Sequence, residues 1–130
     1  MAFTRAGIGL TIDEMDRLLE EVKNPLYKLM FKVAYLHGLR ISEVISLTTK
    51  NIQGGYISIQ RLKGSQKTNQ PLQSDTRALF DEDEELNALV LSLKPGDKLF
   101  PITRFGAYKL IKRAGTRAGI PNHKLFTHVL

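Results

Sequence analysis

The segment GLRISE at residues 38–43 places Arg40 between two stretches with helical periodicity. A guanidinium held at a helix junction presents parallel donors, which can hold and neutralise two oxygens of one phosphodiester. The alternative is structural, with Arg40 fixing the turn through backbone carbonyls or through Glu43. Arg40 is the first candidate for phosphate chemistry.

Two lysines, Lys63 and Lys67, flank a polar, glycine-containing turn, where their ammonium groups could anchor phosphates. Near the end of the sequence, the imidazole of His128 could bind a phosphate oxygen or assist proton movement. A surface or capping role for His128 is the structural alternative. His123 and His128 could suggest a metal site, but no cysteine or third nearby ligand supports one.

Local signals predict three helices in the first third of the chain. Thr11 and Glu14 have the spacing of a capping box. Pro25 suits the first turn of a second helix, and Gly38 suits its C-cap. A short third helix is predicted over residues 42–47, after the junction that contains Arg40.

Residues 56–62 alternate apolar and polar side chains, which predicts a half-buried strand, and a return strand should end near Pro71. Ser74 or Asp75 is predicted to cap the next helical region, which would contain the acidic run 81–85. Thr103 is a predicted N-cap of a basic helix. The apolar stripe of that helix would comprise Phe105, Tyr108, Ile111 and Ala114.

Composition indicates one domain of 130 residues with its own core. The net charge is +6, although residues 81–85 contain five of the 13 acidic residues, so the other segments are strongly basic. This asymmetry favours a polyanion as partner. The sequence contains no apolar run of the roughly 20 residues that span a bilayer and no signal core, so we expect no membrane contact and a cytoplasmic location.

Three segments together resemble the tyrosine recombinase, or phage integrase, family. GLRISE resembles the first arginine box, residues 57–72 resemble the lysine hairpin, especially of short fimbrial-inversion-type recombinases, and residues 123–130 resemble the approach to a His-x-x-Arg box. The resemblance implies an α+β fold, mainly α, with a helical body and a small antiparallel β-hairpin. It also implies site-specific DNA recombination through a 3′-phosphotyrosine intermediate, without metal or other cofactor.

By this resemblance Arg40 holds the scissile phosphate, Lys63 protonates the leaving 5′ oxygen and His128 assists. Lys67 remains an alternative for the hairpin lysine. Glu43 is expected inside the fold as structural support. The partner is double-stranded DNA, and the residues expected to contact it are Arg61, Lys67, Thr68, Arg104, Lys109 and Lys112.

The resemblance covers residues 11–130 as a single, partial catalytic domain. The preceding core-binding domain, the second arginine and the nucleophilic tyrosine are not matched, so we expect this chain alone to be inactive in cleavage. Complete relatives are expected to form tetramers on DNA, whereas the state of this chain is left as monomeric or unknown. Neither the target site nor the direction of the reaction follows from the sequence.

Two other functions remain open. Residues 39–52 could form a helix-turn-helix of a non-enzymatic regulatory protein, which would expose the helix after Arg40. The acidic run could instead serve as a protein-docking surface, but little in the sequence supports this, because a solvated helix face explains these charges adequately.

Overall fold

The computed structural model describes residues 10–60 and 67–126. Within these ranges the helices are α1 Ile12–Glu21, α2 Pro25–His37, α3 Ile41–Ile45, α4 Asp83–Ser92, α5 Arg104–Arg117 and α6 Asn122–Phe126. The strands β1 Ile52–Gln53, β2 Tyr56–Gln60 and β3 Lys67–Pro71 form an antiparallel sheet in that order. The predicted α+β fold, mainly helical with a small antiparallel sheet, is confirmed.

The first two helices begin where local capping signals predict. The Thr11 hydroxyl accepts from the Glu14 amide at 3.1 Å, and the Glu14 carboxylate accepts from the Thr11 amide at 2.9 Å, which completes the capping box of α1. Asn24 caps α2 ahead of Pro25. Gly38 ends α2 with a φ of 66°, a left-handed conformation that glycine adopts without steric penalty.

Helix α3 begins at Ile41, one residue earlier than predicted, and ends at Ile45. Arg40, rather than Ser42, is its N-cap residue. The carboxylate of Glu43 accepts a hydrogen bond from the Arg40 amide at 2.8 Å, so a side chain from the first turn satisfies a backbone donor that the short helix leaves free.

The sheet contains the predicted hairpin strands and one strand that was not predicted, β1. Gly54 and Gly55, with φ values of 58° and 81°, form the tight turn between β1 and β2. Ile57 and Ile59 are buried, which confirms the alternation predicted for β2. Ile57 pairs with Gln70 of β3.

The predicted cap of the acidic helix at Ser74 or Asp75 is wrong. Asp75 accepts from the Arg77 amide within a local turn, and a 3₁₀ turn, Ala78–Phe80, follows before α4 begins at Asp83. The acidic residues therefore lie at the start of α4, where the positive end of the helix dipole stabilises them, and not in the middle of a longer helix.

Helix α5 begins at the predicted cap, since the Thr103 hydroxyl accepts from the Gly106 amide. Ile111 and Ala114 are buried as expected, but Phe105 is 68% exposed and does not belong to the apolar stripe. At about 100° per residue, Phe105 lies on the side of α5 opposite the buried Ala107, Ile111 and Ala114. Each three-residue step of the predicted stripe falls about 60° short of a full turn, so its first member faces solvent.

Helix α6 packs against α5 through the buried side chain of Leu125, which lies over Gly115. A Cβ placed on Gly115 would lie 2.5 Å and 2.6 Å from the two Leu125 methyl carbons, far inside van der Waals contact. The absence of a side chain at Gly115 therefore allows α6 to approach α5 closely.

We expect Gly115→Ala to lower the free energy of unfolding, because overpacking costs about 1–3 kcal/mol and exceeds the helix-propensity gain of about 1 kcal/mol. In a Leu125→Ala background the same substitution should become neutral or stabilising. Urea denaturation of the four chains of this double-mutant cycle measures the coupling. Equal effects of Gly115→Ala in both backgrounds would contradict the packing argument.

Candidate nucleic-acid interface and phosphate site

Arg40 is held by its backbone while its side chain faces solvent. It follows the left-handed turn at Gly38, and its amide is bonded to Glu43, whose side chain is only 7% exposed. The Arg40 carbonyl in turn accepts from the Glu43 amide at 2.9 Å. This arrangement fixes the backbone from which the exposed Arg40 side chain extends, which suits a residue that binds phosphate at a defined place.

The inward position of Glu43 also decides between two interpretations of this segment. A helix-turn-helix would need an exposed helix after Arg40, but α3 has only five residues, and Ile41, Glu43 and Val44 are all buried. A helix of this length and burial cannot lie in a major groove and read bases. The helix-turn-helix interpretation of residues 39–52 is therefore not supported.

The hairpin contributes a polar surface next to its turn. Lys67 and Thr68, at the start of β3, are exposed. Lys67 lines a shallow hollow on the sheet whose other lining residues are Lys50, Asn51, Gln53, Tyr56, Ser58 and Asn69. Arg61 and Lys63 lie outside the described residues, so the choice between Lys63 and Lys67 as the hairpin lysine stays a prediction.

Helix α5 presents the strongest concentration of positive charge among the described residues. Arg104, Lys109 and Lys112 are exposed, as the sequence analysis expected. A surface groove on the same helix is lined by Lys109, Lys112, Arg113, Thr116 and Arg117. The Lys109 ammonium lies 5.1 Å from the ring centroid of the exposed Phe105, a cation–π distance. We call this surface the basic face of α5.

Helix α3 packs against both α2 and α5. Arg40 is the N-cap of α3, and α3 contacts α5, the helix that carries the basic face. The resemblance implies that Arg40, the hairpin lysine and His128 act on one phosphate and therefore lie around a common pocket. Lys63 and His128 lie outside the described residues, so this convergence remains a prediction.

Helix α6, which precedes the predicted histidine box, is fixed to the start of the fold. Lys124 donates to both carboxylate oxygens of Glu14 at 3.0 Å, and Leu125 is buried against α5. His123, on the same helix, is exposed. The carboxylate of Glu14 thus caps α1 and also binds α6.

The pKa of Glu14 reflects these contacts. Partial burial alone would raise the pKa, but the hydrogen bonds from the Thr11 backbone and from Lys124, together with the charge of Lys124, lower it below its ordinary value. In the folded protein the Glu14 carboxylate therefore stays ionised to a lower pH than an unperturbed glutamate does.

A buried polar cluster that the sequence did not predict lies directly behind the junction. His37, 2% exposed, contacts Gln70 through Nδ1 at 2.7 Å and Glu82 through Nε2 at 2.6 Å. The one available signal was a histidine within an apolar helix, immediately before Gly38. Its partners are 33 and 45 residues away, so no local pattern could identify them.

Two side chains of the acidic run, those of Glu82 and Glu85, make contacts with distant helical residues. Glu82 is buried against His37, and Glu85 pairs with the buried ammonium of Lys32 at 2.9 Å. These contacts leave less of the run available as a docking surface than its sequence implied.

In the part of the chain that the structure describes, no group of three potential metal ligands is found, and no helix has the length and apolarity to cross a membrane.

Comparison with known proteins identifies the class. Residues 9–130 match the model of the phage integrase family, and the chain belongs to this family. It is 33% identical to the type 1 fimbriae regulatory protein FimE of Escherichia coli over 67% of the chain and 48% of that protein. It is 31% identical to tyrosine recombinase XerD of Oceanobacillus iheyensis, over 93% of the chain and 48% of that protein.

Two solved structures are similar in fold. The catalytic domain of bacteriophage HP1 integrase superposes with a TM-score of 0.65 at 26% identity, over 92% of this chain and 64% of that one. The lambda integrase catalytic core superposes with a TM-score of 0.68 at 18% identity, over 92% and 79%. The chain spans about half the length of the curated relatives it matches.

The lowered pKa of Glu14 predicts a pH-dependent contribution to stability. The stabilisation is present above the ordinary glutamate value of 4.5 and is lost as the pH falls through the lower folded value. Glu14→Gln should therefore be less stable than the parent near pH 7, and the difference should shrink near pH 3. Denaturation at both pH values measures this, with the exposed Glu20→Gln on the same helix as a control. A constant difference would contradict the ionic contribution.

Proposed function

We propose that this protein takes part in site-specific DNA recombination, with residues 1–130 forming a single domain that supplies part of the strand-transfer site. The observation that carries the proposal is Arg40, an exposed arginine whose backbone is fixed by a buried glutamate within a family-matching segment. The basic face of α5, which contacts α3, suits binding to duplex DNA. The proposed location is the cytoplasm, because the substrate is the cell's DNA.

The proposed reaction exchanges one phosphodiester for another. A tyrosine oxygen attacks the phosphorus, the bond to the 5′ oxygen breaks, and a 3′-phosphotyrosine link conserves the bond energy for rejoining. Arg40, with a second arginine, would stabilise the charge that develops on the phosphate oxygens. Lys63, or Lys67 in its place, would give a proton to the leaving oxygen, and His128 would assist. Each of these steps needs no metal or nucleotide.

The expected DNA-contacting residues divide between two surfaces. Arg61, Lys67 and Thr68 belong to the hairpin region, and Arg104, Lys109 and Lys112 belong to α5. Positive side chains of this kind bind phosphates and release condensed counterions, so binding should weaken steeply as salt rises. We propose a monomer for the isolated chain and, from the family resemblance, tetramers on DNA for complete relatives.

The double variant Lys109→Ala/Lys112→Ala should bind a mixed-sequence duplex about tenfold more weakly and reduce the salt slope by about two, since each lysine is expected to neutralise about one phosphate. Fluorescence anisotropy across a salt series gives both values. Lys94→Ala, which removes an exposed lysine from the loop after α4, serves as the matched control and should behave like the parent. Unchanged affinity and slope in the double variant would remove α5 from the interface.

Residues 1–130 alone should not form a covalent adduct with DNA. None of Tyr27, Tyr35, Tyr56 and Tyr108 occupies the nucleophile position implied by the resemblance. Tyr35 is also buried in the core, and burial raises the pKa of its hydroxyl, which disfavours the phenolate needed for attack. Incubation with a nicked suicide duplex, followed by denaturing electrophoresis, tests this. A protein–DNA band that disappears in one Tyr→Phe variant would contradict the expectation and identify the nucleophile.

A further inference from the structure

The buried cluster of His37, Gln70 and Glu82 connects three segments that are distant in sequence. His37 is the last residue of α2, Gln70 lies on β3, and Glu82 directly precedes α4. The Glu82 carboxylate also accepts from the Gln73 amide at 2.8 Å, and the Glu82 amide donates to the Gln73 carbonyl at 2.9 Å. The chain leaving β3 is therefore fixed to the same carboxylate that binds the imidazole.

Burying ionisable side chains in a core costs desolvation free energy that apolar side chains do not cost. Glu82 is 0% exposed, and its Oε1 has no hydrogen-bond partner, so part of its desolvation penalty is not recovered. Apolar side chains of similar volume often stabilise a core as well as a buried ionisable pair does. The polar cluster instead fixes the orientation of the His37 imidazole, because both ring nitrogens make contacts.

The sequence positions of His37 and Gln70 connect the cluster with the candidate site. His37 lies three residues before Arg40, and Gln70 lies three residues after Lys67. Three residues of strand span about 10 Å. A single imidazole therefore joins the arginine junction to the strand that begins beside the hairpin lysines.

We propose that His37 is a positioning residue, which holds β3 in a fixed place relative to the Arg40 junction through Gln70 and Glu82. This inference rests on the proposed function, since the geometry it maintains is that between a phosphate-binding arginine and the hairpin. The cluster itself contacts no DNA. Its loss leaves the individual DNA-binding groups intact but allows the hairpin to change its distance from α3.

The distance between β3 and α3 can be measured directly. The sequence contains no cysteine, so spin labels can be attached at Ser46→Cys and Asn69→Cys, both exposed positions, without competing sites. Pulsed electron paramagnetic resonance should give one narrow distance distribution for the labelled parent. His37→Ala should broaden or shift this distribution. Gln70→Ala, which removes the contact of the His37 imidazole with a partly exposed residue, should do the same with a smaller loss of stability than His37→Ala causes.

A matched control separates positioning from general destabilisation. Leu18→Ala removes a fully buried side chain of α1, which is not part of the cluster, and should lower the melting temperature while leaving the distribution narrow. Glu82→Gln retains a carbonyl oxygen that can accept from the imidazole. Its distance distribution should therefore be narrower than that of His37→Ala and close to that of the labelled parent. A narrow distribution in a folded Gln70→Ala chain would overturn the inference.

DNA affinity provides the functional readout. With a short mixed-sequence duplex, His37→Ala and Gln70→Ala should bind about fivefold more weakly than the labelled parent, whereas Leu18→Ala should retain its affinity while folded. A broadened distribution with unchanged affinity would overturn the link between the cluster and DNA. If the parent itself did not bind DNA, the proposed function would fail, while the distance measurement would still test whether His37 positions the hairpin.

Discussion

The hydrogen bond from the Arg40 amide to the buried carboxylate of Glu43 is the constraint on which the rest of the candidate site depends. It satisfies a backbone donor at the start of a helix only five residues long, which could not form in isolation. It also converts a sharp turn into a fixed geometry, because Gly38 supplies the left-handed residue and Glu43 closes the other side. The exposed Arg40 side chain extends from that fixed turn.

Polar groups have two separate uses in this fold. Those on α5 face solvent and concentrate positive charge on one surface, the surface that the proposed function assigns to DNA. Those at the centre, among them His37, Glu82 and Lys32, are buried and joined in pairs. A buried pair contributes little net stability but allows few alternative arrangements. The charged side chains of α5 are therefore exposed, whereas the polar side chains behind the candidate site are held by buried contacts.

Local chemistry explains which parts of the structure the sequence could predict. The capping box of α1, the glycine end of α2, the alternation of β2 and the cap of α5 depend on neighbours a few residues apart, and all were predicted correctly. The start of α4 was not, since Glu82 is fixed by His37 from a distant helix. Phe105 was placed in an apolar stripe by its three-residue spacing, yet it lies on the solvent-facing side of α5 beside Lys109. Arg40 was identified as a candidate by its motif, whereas the cluster behind it required the tertiary fold.

The double use of the Glu14 carboxylate has a mechanical consequence. One end of the described chain begins with a helix whose first turn this carboxylate closes, and the other end finishes with a helix that it binds through Lys124. Glu14 is thus a direct link between the first and last described helices, in addition to their shared packing on α5. Movement of α6 away from the body would remove Lys124 from the carboxylate that closes the first turn of α1, so a load on α6 changes the charge environment of the α1 cap.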